Sequence, residues 1–163
     1  LRAALGMFKG VRRRMELRGT TAGVSVYDDF AHHPTAIAET LAGLRTAFPN
    51  RRLWAIFEPR SATSCRRIFQ SDFARALSAA DTVVLPAVFR SNLPEDQRLS
   101  AEQLVADLKA AEVDARYIPQ VDEIVTTVAK ESREGDLVVI MSNGGFDDIH
   151  QKLLRALEAR VRR

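Results

Sequence analysis

The stretch Val26-Tyr27-Asp28-Asp29-Phe30-Ala31-His32-His33-Pro34-Thr35 joins an apolar strand pattern to the start of a helix. Pro34 is favourable in a first helical turn, where its missing N–H removes no hydrogen bond, and it keeps His33 extended. Two carboxylates and two imidazoles are therefore held at one strand-to-helix junction, which is where open α/β sheets bind their ligands. The stretch predicts both an α/β fold and a binding site.

Beyond residue 50 the chain alternates between short apolar runs and segments with helical spacing. The apolar runs predict buried strands at Leu53–Phe57, Thr82–Leu85, residues 115–118 and Leu137–Met141. Ser100 followed by Gln103 has the pattern of a capping box, and a last helix is predicted from about Phe146 to the end of the chain. This order predicts a Rossmann-like, three-layer α/β domain whose sheet is mostly parallel, with about six strands.

The beginning of the chain has a different pattern. Residues 15–20 and 24–27 flank a Thr-Thr-Ala-Gly turn, which predicts an N-terminal hairpin or an antiparallel edge strand. Residues 1–14 include Gly6 and Gly10 and are expected to be a linker, so that the domain itself occupies residues 15–163.

Composition limits the class of protein. The chain has 163 residues, 46% of them hydrophobic, which is enough for one domain with a proper core. Its single cysteine excludes an internal disulfide framework and fits a reducing cytoplasm. No apolar run has membrane-spanning length, so no membrane contact is expected. Arginine clusters near both ends could bind a polyanion or be solvated, but no aromatic residues are interleaved with them, so nucleic-acid binding is not expected.

Four polar segments follow predicted strands at their carboxyl ends. These segments are residues 28–34, 58–61, 86–92 and 142–145. In an open parallel sheet the carboxyl ends of the strands lie on one side, so residues distant in sequence can line one crevice. The sequence therefore predicts that these four segments converge.

Each charged residue of these segments has a structural alternative. Asp28 or Asp29 could cap the following helix, but one carboxylate is enough for that, which leaves the other for a ligand. His32 and His33 are expected to contact substrate rather than a metal, because two adjacent imidazoles cannot easily share one ion and no third ligand is evident. No metal site is expected.

The other two segments also have two interpretations. The planar guanidinium of Arg60 suits a carboxylate or phosphate, or it forms a salt bridge to Glu58. Ser142, Asn143 and Gly144 open the last helix, where glycine lets backbone amides approach an anion, or they form an ordinary capping loop. The lysine of a phosphate-binding loop is absent from this segment.

Taken together, these motifs resemble the C-terminal domain of the Mur ligases, the ATP-dependent enzymes of peptidoglycan synthesis. The matching blocks are residues 8–16, 28–35, 57–61, 141–146 and 149–154. The Asp-Asp-Phe-Ala-His-His-Pro block is shared with the UDP-N-acetylmuramate–alanine ligases. The Phe-Glu-Pro-Arg-Ser and Ser-Asn-Gly-Gly-Phe blocks are similar to those of the murein peptide ligases, which join recycled L-alanyl-γ-D-glutamyl-meso-diaminopimelate to UDP-N-acetylmuramate.

The resemblance implies a mechanism and a role for each residue. ATP phosphorylates the muramyl carboxylate, and the amine of the incoming peptide attacks the acyl phosphate. Arg14 matches the hinge arginine that reaches the ATP phosphates, and Asp29 matches the acid that contacts the nucleotide near its ribose. The resemblance places the acceptor against a wall formed by Phe30, His32, His33 and Arg60, and makes Ser142, Asn143 and Gly144 substrate-binding residues.

Two departures from the family pattern bear on specificity. The alanine ligases carry a His-Arg pair after the proline and another arginine slightly further on, where this chain has Arg60, Ser61 and Ser64. This change removes one carboxylate clamp and opens space, which suits a tripeptide better than free alanine. Asp147 and Asp148 stand where murein peptide ligases usually have glycines, which leaves the role of that loop open.

The expected protein is thus the C-terminal domain of a murein peptide ligase, inactive alone. Residues 1–14 are expected to be the hinge from a central ATPase domain, which would act in cis and bind most of the ATP and Mg²⁺. UDP-N-acetylmuramate and the tripeptide are the expected substrates. Two alternatives stay open: the same domain of an alanine ligase, and a non-enzymatic anion-binding domain.

Overall fold

The computed structural model of the protein describes residues 12–89 and 93–162. Within them, six strands alternate with helices: β1 (Glu16–Thr21), β2 (Val24–Asp29), α1 (Pro34–Ala47), β3 (Leu53–Phe57), α2 (Gln70–Leu77), β4 (Thr82–Leu85), α3 (Ala101–Ala110), β5 (Asp114–Tyr117), α4 (Val121–Glu131), β6 (Leu137–Met141) and α5 (Ile149–Val161). Short 3₁₀ turns occupy Arg67–Phe69, Glu95–Gln97 and Phe146–Asp148.

The six strands form one sheet in the order β1-β2-β6-β3-β4-β5. Only β1 and β2 pair antiparallel, and the other neighbours are parallel. The hairpin turns at Ala22 and Gly23, whose φ angles of 53° and 73° are the positive values that a tight hairpin requires. The predicted α/β class, the mostly parallel sheet and the N-terminal hairpin are confirmed.

The sheet is covered by helices on both faces. Helices α1, α2 and α3 pack against one face and α4 and α5 against the other, which makes the three predicted layers. Strands β3 and β6 are buried at every position, as expected for continuous apolar runs in a parallel sheet. No helix among the described residues is long and apolar enough to cross a bilayer.

Three local features differ from the prediction. Strand β5 begins and ends one residue earlier than predicted. Ser100 caps α3 by accepting from the Gln103 amide at 3.1 Å, but its own N–H bonds to Gln70 of α2, so the capping box is completed by a tertiary contact. The last helix begins at Ile149 rather than Phe146, because residues 146–148 all have positive φ angles between 46° and 52°.

The sheet topology creates a crevice at the carboxyl ends of three adjacent strands. Asp29, Met141 and Phe57 are side by side at the ends of β2, β6 and β3. Helix α1 leaves β2 toward one face, whereas α5 leaves β6 toward the other. Neighbouring strands whose connections diverge in this way leave an opening between them, and ligands of open α/β sheets bind there.

Candidate functional site

The predicted convergence of the polar segments is confirmed. The Ser142 amide donates to the carbonyl of Asp29 at 3.2 Å, and the Glu58 amide donates to the carbonyl of Met141 at 3.0 Å. The fourth segment joins them through the amide of Phe89, which donates to the carbonyl of Pro59 at 3.2 Å. Its residues 90–92 lie outside the described part of the chain.

Arg60 follows β3 and packs against Gly144 in the loop after β6. Its Nη1 is 3.4 Å from Oε1 of Glu58, so the salt bridge considered as an alternative is present, and its Cζ lies 4.2 Å from the centre of the Phe89 ring. The Arg60 side chain nevertheless stays 35% exposed. The guanidinium therefore has a fixed position and a free edge that a carboxylate or phosphate could reach.

The loop after β6 is organised around Glu58. The other oxygen of Glu58 accepts from the hydroxyl of Ser142, which in turn accepts from the amide of Gly144 at 2.9 Å. The Oδ1 atom of Asn143 is buried and accepts no hydrogen bond within the described residues. The substrate contacts expected of Ser142, Asn143 and Gly144 stay predictions, but the loop is held directly beside Arg60.

Gly144 is required by the position of Arg60. A Cβ atom at residue 144 would lie 2.3 Å from Cδ of Arg60 and 2.4 Å from its Nε, whereas one at Gly145 would meet nothing within 4 Å. We expect Gly144→Ala to push Arg60 off Phe89 and to cost about 1 kcal/mol of unfolding free energy. Denaturant unfolding and the NMR signal of the Arg60 Nε–H measure both effects. Gly145→Ala is the matched control, and equal behaviour of the two variants would contradict this packing.

The segment before β1 is anchored through its backbone. Arg13 and Met15 both have left-handed φ angles, 56° and 49°, which cost free energy for residues other than glycine. The carbonyl of Arg13 accepts from the amide of Phe30 at 2.8 Å, and the amide of Arg13 donates to the Glu16 carboxylate at 2.8 Å. The amide of Met15 donates to Asp29 at 2.7 Å. These bonds fix the two residues on either side of Arg14.

The side chains of Arg13 and Arg14 have different surroundings. Nη2 of Arg13 donates to the carbonyls of Ser142 and Gly144 at 2.6 and 2.9 Å, which ties the segment to the loop after β6. Arg14 is exposed, and its Cζ lies 5.9 Å from the centre of the Phe30 ring. Within the described residues the Arg14 guanidinium has no hydrogen bond or ion pair, so it is available to a ligand.

Asp29 is buried and fully engaged. It is 2% exposed, and Oδ1 accepts from the amide of Ala31 at 2.7 Å and the hydroxyl of Thr40 at 3.3 Å, while Oδ2 accepts from Met15. The N-cap of α1 is His33, whose Nδ1 is 3.4 Å from the Thr35 amide, so neither aspartate caps this helix. The nucleotide contact expected of Asp29 stays a prediction; its observed contacts position the Arg14 segment.

The two adjacent histidines face different parts of the surface. Nδ1 of His32 lies 2.9 Å from the carbonyl of Phe30, and the imidazole packs edge-on against the Phe30 ring, beside the Arg14 segment. His33 instead packs against Phe69 and lines a cavity of about 420 Å³ beside α2. His32 therefore faces the crevice with Phe30, while His33 does not. Within the described residues no group of three or more His, Cys, Asp or Glu residues could hold a metal ion.

Asp28 forms a second buried cluster, which the sequence did not indicate. It is 3% exposed, and its Oδ1 lies 3.4 Å from Nε2 of His150 and 3.4 Å from Nε of Arg13. Successive side chains of a strand point to opposite faces, so Asp28 faces α5 while Asp29 faces α1. The alternation along β2 was the available signal that the two carboxylates cannot serve one site.

The pKa of His150 predicts a pH-dependent stability. Burial lowers this pKa below its ordinary value of 6.5; Asp28 and Glu16 oppose the shift, and Arg18 and Arg13 add to it. The folded state therefore binds the proton less tightly than the unfolded chain, so stability is full above pH 6.5 and falls as the pH decreases through 6.5. Urea unfolding at a series of pH values should show this decline, and His150→Gln should flatten it. An unchanged profile in the variant would assign the decline to other groups.

Comparison with known proteins identifies the family. The family model described as Mur ligase, glutamate ligase domain, matches residues 13–144. The chain is 44% identical over 155 residues to the UDP-N-acetylmuramate–L-alanyl-γ-D-glutamyl-meso-2,6-diaminoheptandioate ligase of Escherichia coli, covering 94% of this chain and 32% of that protein. It is 37% identical over 152 residues to the UDP-N-acetylmuramate–L-alanine ligase of Desulfitobacterium hafniense, covering 93% and 34%.

A solved structure agrees with both sequence comparisons. The murein peptide ligase of Psychrobacter arcticus superimposes with a TM-score of 0.77 at 40% identity, covering 96% of this chain and 32% of that one. The chain thus spans about a third of the length of the curated relatives it matches. The family match covers most of the chain, and the relatives share its sequence over nearly its whole length. The chain belongs to the Mur ligase family and is its C-terminal, glutamate ligase domain.

Proposed function

We propose that this domain belongs to an ATP-dependent ligase that joins L-alanyl-γ-D-glutamyl-meso-diaminopimelate to UDP-N-acetylmuramate in peptidoglycan recycling. The observation that carries the proposal is the turn after β3. Ser64 is fully buried, and its hydroxyl accepts from the amides of Arg60 and Ser61 at 3.0 and 2.9 Å. Two short serines in a compact turn thus occupy the positions where the alanine ligases carry further basic residues, which favours a longer acceptor than free alanine.

Arg14 is the residue that acts on ATP. Its guanidinium is exposed at a hinge whose backbone is held on both sides by Phe30 and Asp29. When the domain closes, Arg14 reaches the phosphates and stabilises the charge that develops as the γ-phosphoryl group moves to the muramyl carboxylate. Asp29 positions this hinge by accepting a hydrogen bond from the Met15 amide.

Phe30, His32 and Arg60 form the acceptor wall. The exposed edge of Arg60 binds a carboxylate of the peptide while Glu58 holds the guanidinium in place. His32 directs Nδ1 to the Phe30 carbonyl, which fixes the ring and leaves Nε2 to accept a proton from the attacking amine. Closure excludes water from the acyl phosphate and brings the amine into line with it.

The remaining chemistry belongs to the central domain of the ligase. That domain binds Mg²⁺ together with the ATP phosphates, as the resemblance to the Mur ligases implies, and this domain alone is inactive. Residues 1–14 are the hinge to that domain; of these, residues 1–11 lie outside the described part of the chain. The reaction takes place in the cytoplasm, where ATP is available.

The arginine cluster near the start does not favour the anion-binding alternative. Nη2 of Arg13 donates to two backbone carbonyls of the loop after β6. Nη1 of Arg18 lies 3.7 Å from carboxylate oxygens of both Glu16 and Asp28. Two of the clustered arginines therefore have internal partners, which argues against one continuous basic surface for a polyanion.

Isotope transfer tests the proposed reaction. UDP-N-acetylmuramate carrying ¹⁸O in its carboxylate is incubated with the whole ligase, ATP and the tripeptide. Formation of an acyl phosphate requires that one labelled oxygen leaves with each inorganic phosphate. Peptide bond formation with unlabelled phosphate would exclude that intermediate. The isolated domain serves as the control and should produce neither product.

A further inference from the structure

A cavity of about 500 Å³ opens at the same edge of the sheet, beyond Arg60. It lies between the carboxyl ends of β4 and β5 and the start of α3. Its lining carries both signs of charge, from Arg67, Arg98, Glu95 and Glu102, and includes the ring of Tyr117. None of the residues assigned to the hinge or the acceptor wall lines this cavity.

The cavity is a neighbour of the acceptor wall. Phe89, on which Arg60 stacks, follows Ala87 and Val88, and both of these line the cavity. On the other side, the amide of Leu99 donates to the carbonyl of Cys65 at 2.8 Å, which ties the segment carrying Arg98 to the turn after Arg60. A ligand extended from Arg60 along the sheet edge therefore enters this cavity.

Arg98 has unused hydrogen-bonding capacity. Its Nη2 donates to the carbonyl of Leu93 at 2.9 Å, but its Nε is buried and has no partner among the described residues. A buried donor without an acceptor is unfavourable, and a guanidinium matches a carboxylate with two parallel bonds. Glu102 also lines the cavity and lies close enough to Tyr117 for its charge to add to burial in raising the pKa of that phenol. The cavity can thus bind an anionic and a cationic group together.

The dimensions fit the tail of the acceptor. Neighbouring strands are about 4.8 Å apart, so the path from the end of β2, near His32, to between β4 and β5 is about 17 Å. Three extended α-linked residues span about 10 Å, and the γ-linked glutamate and the long side chain of the diamino acid extend this reach to about 17 Å. A tripeptide whose amine lies at the crevice therefore places its third residue in the cavity.

We propose that this cavity binds the zwitterionic end of the diamino acid in the tripeptide. Arg98 and Arg67 hold the terminal carboxylate, and Glu102 with Glu95 holds the terminal ammonium group. The inference rests on the proposed function and extends it, because it makes this cavity the site that distinguishes a diaminodicarboxylic acid from lysine. Lysine has the ammonium group but lacks that carboxylate.

Two acceptors and two variants of the whole ligase test the assignment. The acceptors are the tripeptide ending in meso-diaminopimelate and the same tripeptide ending in L-lysine. Arg98→Met should raise KM for the first peptide about tenfold or more, as expected for a lost charged hydrogen bond, and leave KM for the lysine peptide and kcat unchanged. Glu102→Gln should raise KM for both peptides, since both carry the ammonium group.

Arg66→Met is the matched control, because Arg66 is the exposed neighbour of Arg67 and does not line the cavity. An unchanged KM for UDP-N-acetylmuramate in each variant confirms that the fold is intact. Equal effects of Arg98→Met on the two peptides, or no effect on either, would overturn the cavity assignment alone. A wild-type ligase that joins neither peptide would overturn the proposed function and this inference with it.

Discussion

Replacing Arg14 by alanine in the whole ligase is expected to lower kcat by at least about a hundredfold, the usual effect of losing one donor to a developing charge. Arg14 is exposed, and its guanidinium lies over the face of Phe30 with no hydrogen bond or ion pair to the described residues. Its removal should therefore change the free energy of unfolding by less than about 0.5 kcal/mol. Steady-state kinetics and urea unfolding of the same variant measure the two quantities.

The neighbouring arginines provide the controls for this prediction. Arg12→Ala removes another exposed cation two residues away and should leave kcat near the wild-type value. Arg13→Ala removes the bonds to Ser142 and Gly144 and should reduce stability as well as turnover. Unchanged kinetics in Arg14→Ala, or an equal loss in Arg12→Ala, would remove the assignment of Arg14 as the hinge arginine.

Asp29→Ala is expected to cost about 3 kcal/mol of unfolding free energy, because it leaves two backbone amides without an acceptor. The amides are those of Met15 and Ala31, each 2.7 Å from a carboxylate oxygen. Releasing Met15 also frees the hinge, so the whole ligase should lose turnover together with stability. Asp29→Asn retains one carbonyl oxygen and should show an intermediate effect.

Asp147 is the matched control for Asp29. It is an acid on the loop that opens α5, its side chain is 66% exposed, and its partner Lys152 also pairs with Asp122. Asp147→Ala should change stability by less than about 0.5 kcal/mol. If Asp29→Ala were as stable as the wild type and raised only KM for ATP, Asp29 would be a nucleotide ligand and not a positioning residue.

The fold could be predicted because its signals are local. The apolar runs of β3, β4 and β6 are buried on both faces, so each is continuous in sequence and easily recognised. Pro34 marked the start of α1 correctly. The left-handed residues 146–148 and the contact between Gln70 and Ser100 depend on tertiary packing, so no local sequence pattern predicts them.

The sequence predicted where the candidate site lies, but it did not predict which of its side chains contact one another. The carboxyl ends of parallel strands must share one side, so the parallel sheet predicted that Phe30, Arg60 and the loop after β6 face the same side; the strand order that makes them neighbours is seen only in the structure. The direction of each side chain depends on which residues of β2 face each side of the sheet, and on the packing of α1 and α5. For that reason the contacts of Asp28 with His150 and of His33 with Phe69 became visible only in the structure.

The ratio of kcat/KM for two acceptors of the whole ligase distinguishes a murein peptide ligase from an alanine ligase. One acceptor is L-alanyl-γ-D-glutamyl-meso-diaminopimelate and the other is free L-alanine, each with saturating ATP and UDP-N-acetylmuramate. The serine turn beside Arg60 and the cavity beyond it predict a preference for the tripeptide of at least about a hundredfold. A preference for L-alanine would contradict the proposed peptide ligase function and assign the domain to an alanine ligase.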